Sequence, residues 1–267
     1  MGSAVHIRDN FLPPQAPRTA RARKIDFATS VPPLPKYRDL FATVIDDVLT
    51  DAECQEMIQL AEASSSNSWE RALINIGGGK QALATDTRNC GRIIWDSPVL
   101  AQKLQDRLMP FLRELEIDEF TDRPRVTGLA GRGKTYHLTR LNERLRFLRY
   151  EGGEYFRPHW DAKYRAPDGD ISYYTIHLYL NGEGDQDVDE LLKAQEKGES
   201  NPAPTGKLLG GATSFMPSYE DAANQVRVFP RTGSVLIFQQ NDLLHSGDPI
   251  FKGTKYTMRT DIMYRQS

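Results

Sequence analysis

Apolar and polar positions divide the chain into a mixed first half and a strand-rich second half. FATVIDDVLT, from Phe41, reads as a strand entering a turn, and Thr50 then caps a helix over DAECQEMIQLAEAS. Acidic residues near that start suit the positive end of the helix dipole. Ser97 starts a second helix over SPVLAQKLQDRLMPFLREL. It is expected to bend or break near Pro110, which has no amide to donate. The stretch between the helices holds glycine-rich turns and strands. Its Gly77-Gly78-Gly79-Lys80 lacks the spacing and trailing Ser or Thr of a phosphate loop, and reads as a hairpin or flexible loop.

Beyond about residue 135 the pattern becomes short β-rich runs separated by turns: RLRFLRY, YTIHLYLN, GATSFM, VRVFP, GSVLIFQQ and KYTMRTDIMY. Such punctuation predicts a sandwich, barrel or jelly roll. The charged segment 182–205 interrupts it and reads as an inserted surface loop with one helical turn. Residues 1–36, rich in Pro and Arg, are expected to form a flexible N-terminal arm. The expected organisation is therefore one domain over 37–267, α+β with a mainly β core. Residues 37–135 give helical and strand support, and 136–267 form the β core.

Composition narrows the function classes. The 267 residues are 39% hydrophobic and 26% charged, ordinary for a soluble globular protein. A formal net charge of −2 gives no global basic field, so nucleic acid is not an expected partner. Cys54 and Cys90 read as reduced thiols. No apolar run reaches membrane-spanning length, and MGSAVHIRDN lacks a secretory apolar region. Gly2 is not expected to be myristoylated, since His6 stands where Ser or Thr is wanted. A cytoplasmic protein is expected, without a membrane partner. RTARARK leaves the nucleus open, although a solvated tail is the favoured reading.

The candidate chemistry lies in the β half. His159 and Asp161 flank Trp160, and two positions apart on an extended strand share a face. His245, arriving from another strand, completes a 2-His-1-carboxylate set that leaves coordination positions open on Fe(II). Lys255 and Arg259 share a face of the last strand with Thr257 and Asp261. Either cation could grip the far carboxylate of a bound keto acid. Each element alone has a blander reading: a chance H-x-D, a loop histidine, solvated edge charges. Their order along the strands carries the weight. His177 is expected as a packed or hydrogen-bonded strand residue, His6 and His137 as surface residues, and Trp160 as a packing residue.

FLRYEGGEYFRPHWD, LYLN, GGATSFMP, GSVLIFQQND and LLHSGDPIFKGTKYTMRTD together resemble the prolyl 4-hydroxylase-like branch of the Fe(II)/2-oxoglutarate-dependent dioxygenases. The resemblance is specific over 146–264, fainter over 40–135, and does not cover the first 36 residues. It implies a double-stranded β-helix (jelly roll) flanked by N-terminal helices. It implies His159, Asp161 and His245 as iron ligands and Lys255 as the anchor of the 2-oxoglutarate C5 carboxylate, with Arg259 the rival anchor. Tyr150 and Thr213 are implied to line the same pocket, although Ala212 replaces the usual Glu of the GGETxF motif. The implied cofactors are Fe(II), 2-oxoglutarate, O2 and ascorbate. The implied reaction hydroxylates an aliphatic carbon of a small molecule, an amino acid or a peptidyl proline, releasing succinate and CO2. Asp161 disfavours halogenation, which needs a small residue there. Arg88 in TRNCGR and Arg146, which shares strand parity with Tyr150, are candidate substrate contacts, with structural ion pairs as the alternative. Two other readings stay open: oxidative demethylation on the AlkB pattern, disfavoured by the charge balance and the missing N-x-N-x-R ending, and a jelly-roll binding module without catalysis.

Overall fold

Thr50, just past the turn that follows a strand, starts a helix, and both halves of its capping box form in the computed structural model, which describes residues 5–77, 80–198 and 203–267. Its Oγ1 accepts from the Glu53 amide at 3.2 Å, and Glu53 Oε2 accepts from the Thr50 amide at 2.8 Å. The helix, α1, spans Asp51–Ser64. Helix α2 spans Pro98–Glu114, with Ser97 Oγ accepting from the Leu100 amide at 3.3 Å. It does not break at Pro110. Asp106, whose carbonyl loses its partner there, and Pro110 lie on the exposed face, where water can take that carbonyl. Leu104, Leu108 and Leu112 keep the other face buried.

Two short helices follow, α3 (Pro124–Thr127) and α4 (Val188–Lys197). The first strands are β1 (Arg21–Lys24), β2 (Ala42–Asp46), β3 (Glu70–Arg71), β4 (Ile74–Gly77), β5 (Lys80–Ala82), β6 (Arg88–Asn89) and β7 (Gly91–Asp96). Next come β8 (Glu119–Thr121), β9 (Thr135–Leu141), β10 (Arg144–Tyr150), β11 (Tyr155–His159) and β12 (Ile171–Tyr179). The last are β13 (Leu209–Gly210), β14 (Thr213–Phe215), β15 (Val226–Val228), β16 (Val235–Gln239), β17 (His245–Gly247), β18 (Ile250–Lys252) and β19 (Lys255–Gln266).

A ten-stranded sheet runs β1-β2-β16-β12-β19-β10-β7-β3, with β9 also on β19 and β8 on β9. A five-stranded sheet runs β15-β14-β17-β11-β6. All their pairings are antiparallel, and together they form the jelly-roll core. The large sheet is two-faced. Leu145 and Phe147 of β10 and Met258 and Ile262 of β19 join the core cluster that includes Met57 of α1 and Leu104 and Leu108 of α2. The alternate positions, Arg146 and Tyr150 of β10 and Lys255 and Arg259 of β19, turn to the opposite face.

Residues 5–36 differ from the expected flexible arm. Phe11 and Leu12 are buried in the cluster on the helical side, and Phe27, Leu34 and Tyr37 pack with Phe215 and Phe238. Strand β1 pairs with β2 in register from Arg21↔Asp46 to Lys24↔Thr43. A few large apolar side chains suffice to tie down a segment that is polar and Pro-rich on average. The insertion is also more helical than one turn. Asp187 caps the ten residues of α4, whose Leu191 and Ala194 pack with Leu209 and Phe251. Gly77 and Lys80 face each other at the end of an antiparallel β4–β5 pair, and residues 78–79 of the glycine run lie outside the described residues. Among the described residues no helix is long and apolar enough to cross a membrane.

Candidate metal and co-substrate site

Strand pairing brings the two histidines together. His159 at the end of β11 stands opposite His245 at the start of β17, with ring centroids 4.4 Å apart. A register irregularity between Phe156 and His159 re-aims the end of β11, so that Asp161 comes round to the same point. The Nδ1 atoms of His159 and His245 lie 2.8 Å from the Arg157 carbonyl and 3.1 Å from the Leu243 carbonyl. Donation to those carbonyls puts the proton on Nδ1 and leaves each Nε2 lone pair free. The two Nε2 atoms lie 3.7 Å and 3.9 Å from the Asp161 carboxylate. The three potential ligand atoms all fall within 4.8 Å of one another. Two neutral nitrogens and one carboxylate oxygen on a single side fit a divalent iron with open positions.

The electrostatics agree with that donor set. Burial, and then the charge on His245, lower the His159 pKa to about 3 despite Asp161, so the ring is neutral at physiological pH. Burial likewise lowers that of His245. Burial opposes ionisation of Asp161, but Arg259 and the two histidines outweigh it and hold the carboxyl well below the usual range. Asp161 is fixed on both oxygens. The Thr175 hydroxyl donates to Oδ2 at 2.7 Å, and Arg259 Nη2 lies 3.0 Å from Oδ1.

The closed end of the cavity is built around Lys255. It faces Tyr150 across β10 and β19, and its Nζ lies 5.2 Å from the Tyr150 ring centroid and 5.7 Å from that of Tyr179. Nζ donates to the Gly211 carbonyl at 2.6 Å. Thr213 Oγ1 accepts from the Tyr179 hydroxyl at 2.7 Å. Burial lowers the Lys255 pKa to about 8, although Asp248 favours the charged form. A buried ammonium with donors to spare and aromatic walls is suited to a carboxylate.

Of the expected site residues, Arg88, Tyr150, His159, Asp161, Thr213, His245, Lys255 and Arg259 line one cavity. Arg146 stands one strand further out, across from Arg259, and pairs with Asp261 at 3.3 Å. Arg88 is only 8% exposed, its guanidinium carbon 4.6 Å from the Phe156 ring centroid. The structure adds Thr175, His177 and Tyr179, which alternate along β12. The every-second spacing in YTIHLYLN was the signal that could have found them. His177, expected as a packed strand residue, lines the cavity, and its buried Nε2 has no partner. Trp160, expected to pack, is 52% exposed and meets the Tyr219 ring edge-on.

A jelly roll that aims two imidazoles and a carboxylate at one point, with a lysine at the closed end, has the architecture of a non-haem iron oxygenase. Residues 145–260 match the family model described as the 2OG-Fe(II) oxygenase superfamily. The matched span holds His159, Asp161, His245, Lys255 and Arg259, and the match indicates a dioxygenase that uses Fe(II), 2-oxoglutarate and O2. No curated protein matches the sequence. Among solved structures, the chain is similar to a prolyl-4-hydroxylase from Pseudomonas putida, at 17% identity and a TM-score of 0.50 over 85% of this chain and 95% of that one. It is also similar to a prolyl hydroxylase from Trichoplax adhaerens in complex with a hypoxia inducible factor oxygen degradation domain peptide fragment. That match has 15% identity and a TM-score of 0.52 over 85% of this chain and 86% of the other. At such identities the likeness is one of fold.

Proposed function

We propose that the protein hydroxylates an aliphatic carbon of a small molecule, an amino acid or a peptidyl proline. The observation that carries this is the juxtaposition of the His159, Asp161 and His245 face with Lys255 at the closed end of the same cavity. Bound together there, Fe(II), 2-oxoglutarate and O2 supply an oxidative decarboxylation that yields succinate and CO2 and delivers one oxygen atom to a substrate C–H bond.

The chain's own residues hold and orient the reactants. His159 and His245 present Nε2 because the carbonyls of Arg157 and Leu243 occupy Nδ1. Arg259 and Thr175 fix Asp161, leaving a second lone pair on each oxygen for the metal. Lys255 neutralises the C5 carboxylate of 2-oxoglutarate, with the hydroxyls of Tyr150 and Thr213 on the same wall. Leu148, Phe156 and Phe238 keep that wall dry, which strengthens each charge interaction inside it. Arg88, on the cavity wall, and Arg146, one strand beyond Arg259, are the candidate substrate contacts. Ascorbate would serve to keep the iron reduced. The two buried free thiols favour the cytoplasm.

Purified protein supplied with Fe(II), ascorbate and 2-oxoglutarate is expected to form succinate, and His159→Ala or Asp161→Ala to abolish it. A wild-type protein that binds no Fe(II) and forms no succinate across a substrate panel would be a binding module, and the proposal would be lost.

A further inference from the structure

Beyond Arg259, which holds Asp161, the inner face of the large sheet carries a belt of guanidinium groups that neither the metal nor 2-oxoglutarate requires. Ile94, Arg146, Arg259 and His177 stand side by side on β7, β10, β19 and β12. Arg92, two residues before Ile94, shares its face of the sheet. Arg88 comes from the opposing sheet, opposite Phe156 on β11.

Arg92 and Arg146 are poorly matched, although, against its burial, Tyr150 and Cys90 favour the charge on Arg88. Arg92 is buried, and its Nη1 reaches the Leu73 carbonyl at 3.4 Å. Arg88 is buried against the thiol of Cys90 and the hydroxyl of Tyr150, and its Nε has no partner. The Nε of Arg259 is buried and unpartnered as well. Asp261 serves both Arg146 and Arg259, at 3.3 Å and 3.5 Å, while Asp161 belongs to the metal face. Glu70, the other acid near Arg92, lies exposed on an edge strand. Burial, then Arg88 and Arg146, destabilise the charge on Arg92, so the arginines repel one another. A fold that buries like charges beside a cavity keeps them for an anion that arrives with a ligand.

Resting on the function proposed above, we propose that Arg92 and Arg146, with Arg88 between them and the metal face, form a subsite for a carboxylate of the substrate. Planar guanidinium forks match a carboxylate in shape as well as in charge. The substrate class is then a free amino acid or another small carboxylic acid. A proline inside a peptide carries amides on both sides and offers the belt nothing to pair.

The test is calorimetric. Protein loaded with Mn(II) and N-oxalylglycine has its metal and co-substrate positions filled without turnover. It is titrated with the free proteinogenic L-amino acids and benzoate, and with the amide of each. At least one carboxylate should bind and its amide should not. Arg92→Gln and Arg146→Gln should each weaken that binding roughly 10- to 100-fold, the factor expected for one charge-assisted hydrogen bond. Both should leave N-oxalylglycine affinity unchanged, and Arg92→Lys should retain most of the binding. The subsite is overturned if no carboxylate binds better than its amide, or if the Gln variants lose N-oxalylglycine instead, which would assign the belt to the co-substrate. Failure of the wild type to take up Mn(II) and N-oxalylglycine would refute the proposed function itself, a distinguishable outcome.

Discussion

Arg259 is joined to Asp161, its Nη2 3.0 Å from Oδ1, while Lys255 on the same face of β19 reaches away from the metal face to the Gly211 carbonyl. The two cations that the sequence leaves as rivals thus have different neighbours. Lys255 occupies the closed end, and Arg259 orients the metal-facing carboxylate.

Arg259→Ala is therefore expected to weaken divalent metal binding by about 10- to 100-fold, as loss of a partner behind a metal ligand does. The KM for 2-oxoglutarate at saturating metal should change little. Mn(II) titration alongside steady-state kinetics checks both, and a raised 2-oxoglutarate KM with intact metal affinity would reverse the assignment.

Lys255→Ala should have the complementary effect, a large rise in the 2-oxoglutarate KM with metal affinity retained. In the wild type the lysine is charged below about pH 8 and neutral above it, because burial lowers its pKa. Co-substrate binding should thus be strongest below that pH and weaken as pH rises through it. Between pH 7 and pH 9 the charged fraction falls about tenfold, and the apparent KM should rise by a similar factor. A flat KM across that range would remove Lys255 from the role.

Gly211 stands at φ +72°, and a Cβ there would lie 2.3 Å from Ile250 Cδ1 and 3.0 Å from Lys255 Cδ. Gly211→Ala should strain the backbone by about 1–3 kcal/mol and displace the lysine that its own carbonyl positions. Both the melting temperature and 2-oxoglutarate affinity should fall, while Mn(II) affinity is kept.

Arg107 is 1% exposed and joins three parts of the fold. It pairs with Glu53 of α1 at 2.8 Å, reaches the Val48 carbonyl at 3.2 Å, and holds the Pro13 carbonyl at 2.7 Å. Arg107→Ala strands the Glu53 carboxylate and should cost about 3–5 kcal/mol in urea unfolding. Trypsin should also cut sooner among Arg18, Arg21 and Arg23 if the N-terminal segment is held as described.

The sequence made much of the site legible because its signals are short-range. The H-x-D spacing, with His159 closing β11 and Asp161 just beyond it, and the cap at Thr50 are short-range and survive without a tertiary structure, while Lys255 follows from the family resemblance. What sequence reasoning missed depends on long-range pairing. His177 looks like any strand histidine until β19 is set beside β12 and Arg259 becomes its neighbour. Arg92 looks like a surface charge until β7 is paired with β10. The N-terminal segment was misjudged because its average composition hides Phe11, Leu12 and Phe27, which act singly. Pro110 breaks the rule for helix interiors only on the face where water can take up the lost bond.

The pairing of β1 with β2 has a further consequence, for solubility. Strand β1 is the outermost on its side of the ten-stranded sheet, and its four residues include three cations, Arg21, Arg23 and Lys24. Without it, β2 would become the terminal strand, with the mostly buried sequence Ala42–Asp46 and unpaired backbone groups facing water. Like charges along a short outer strand repel a second copy, whereas a bare apolar one invites it. The basic segment thus acts as a selvedge, and a chain trimmed to begin at Tyr37 should self-associate through the sheet it has left unfinished.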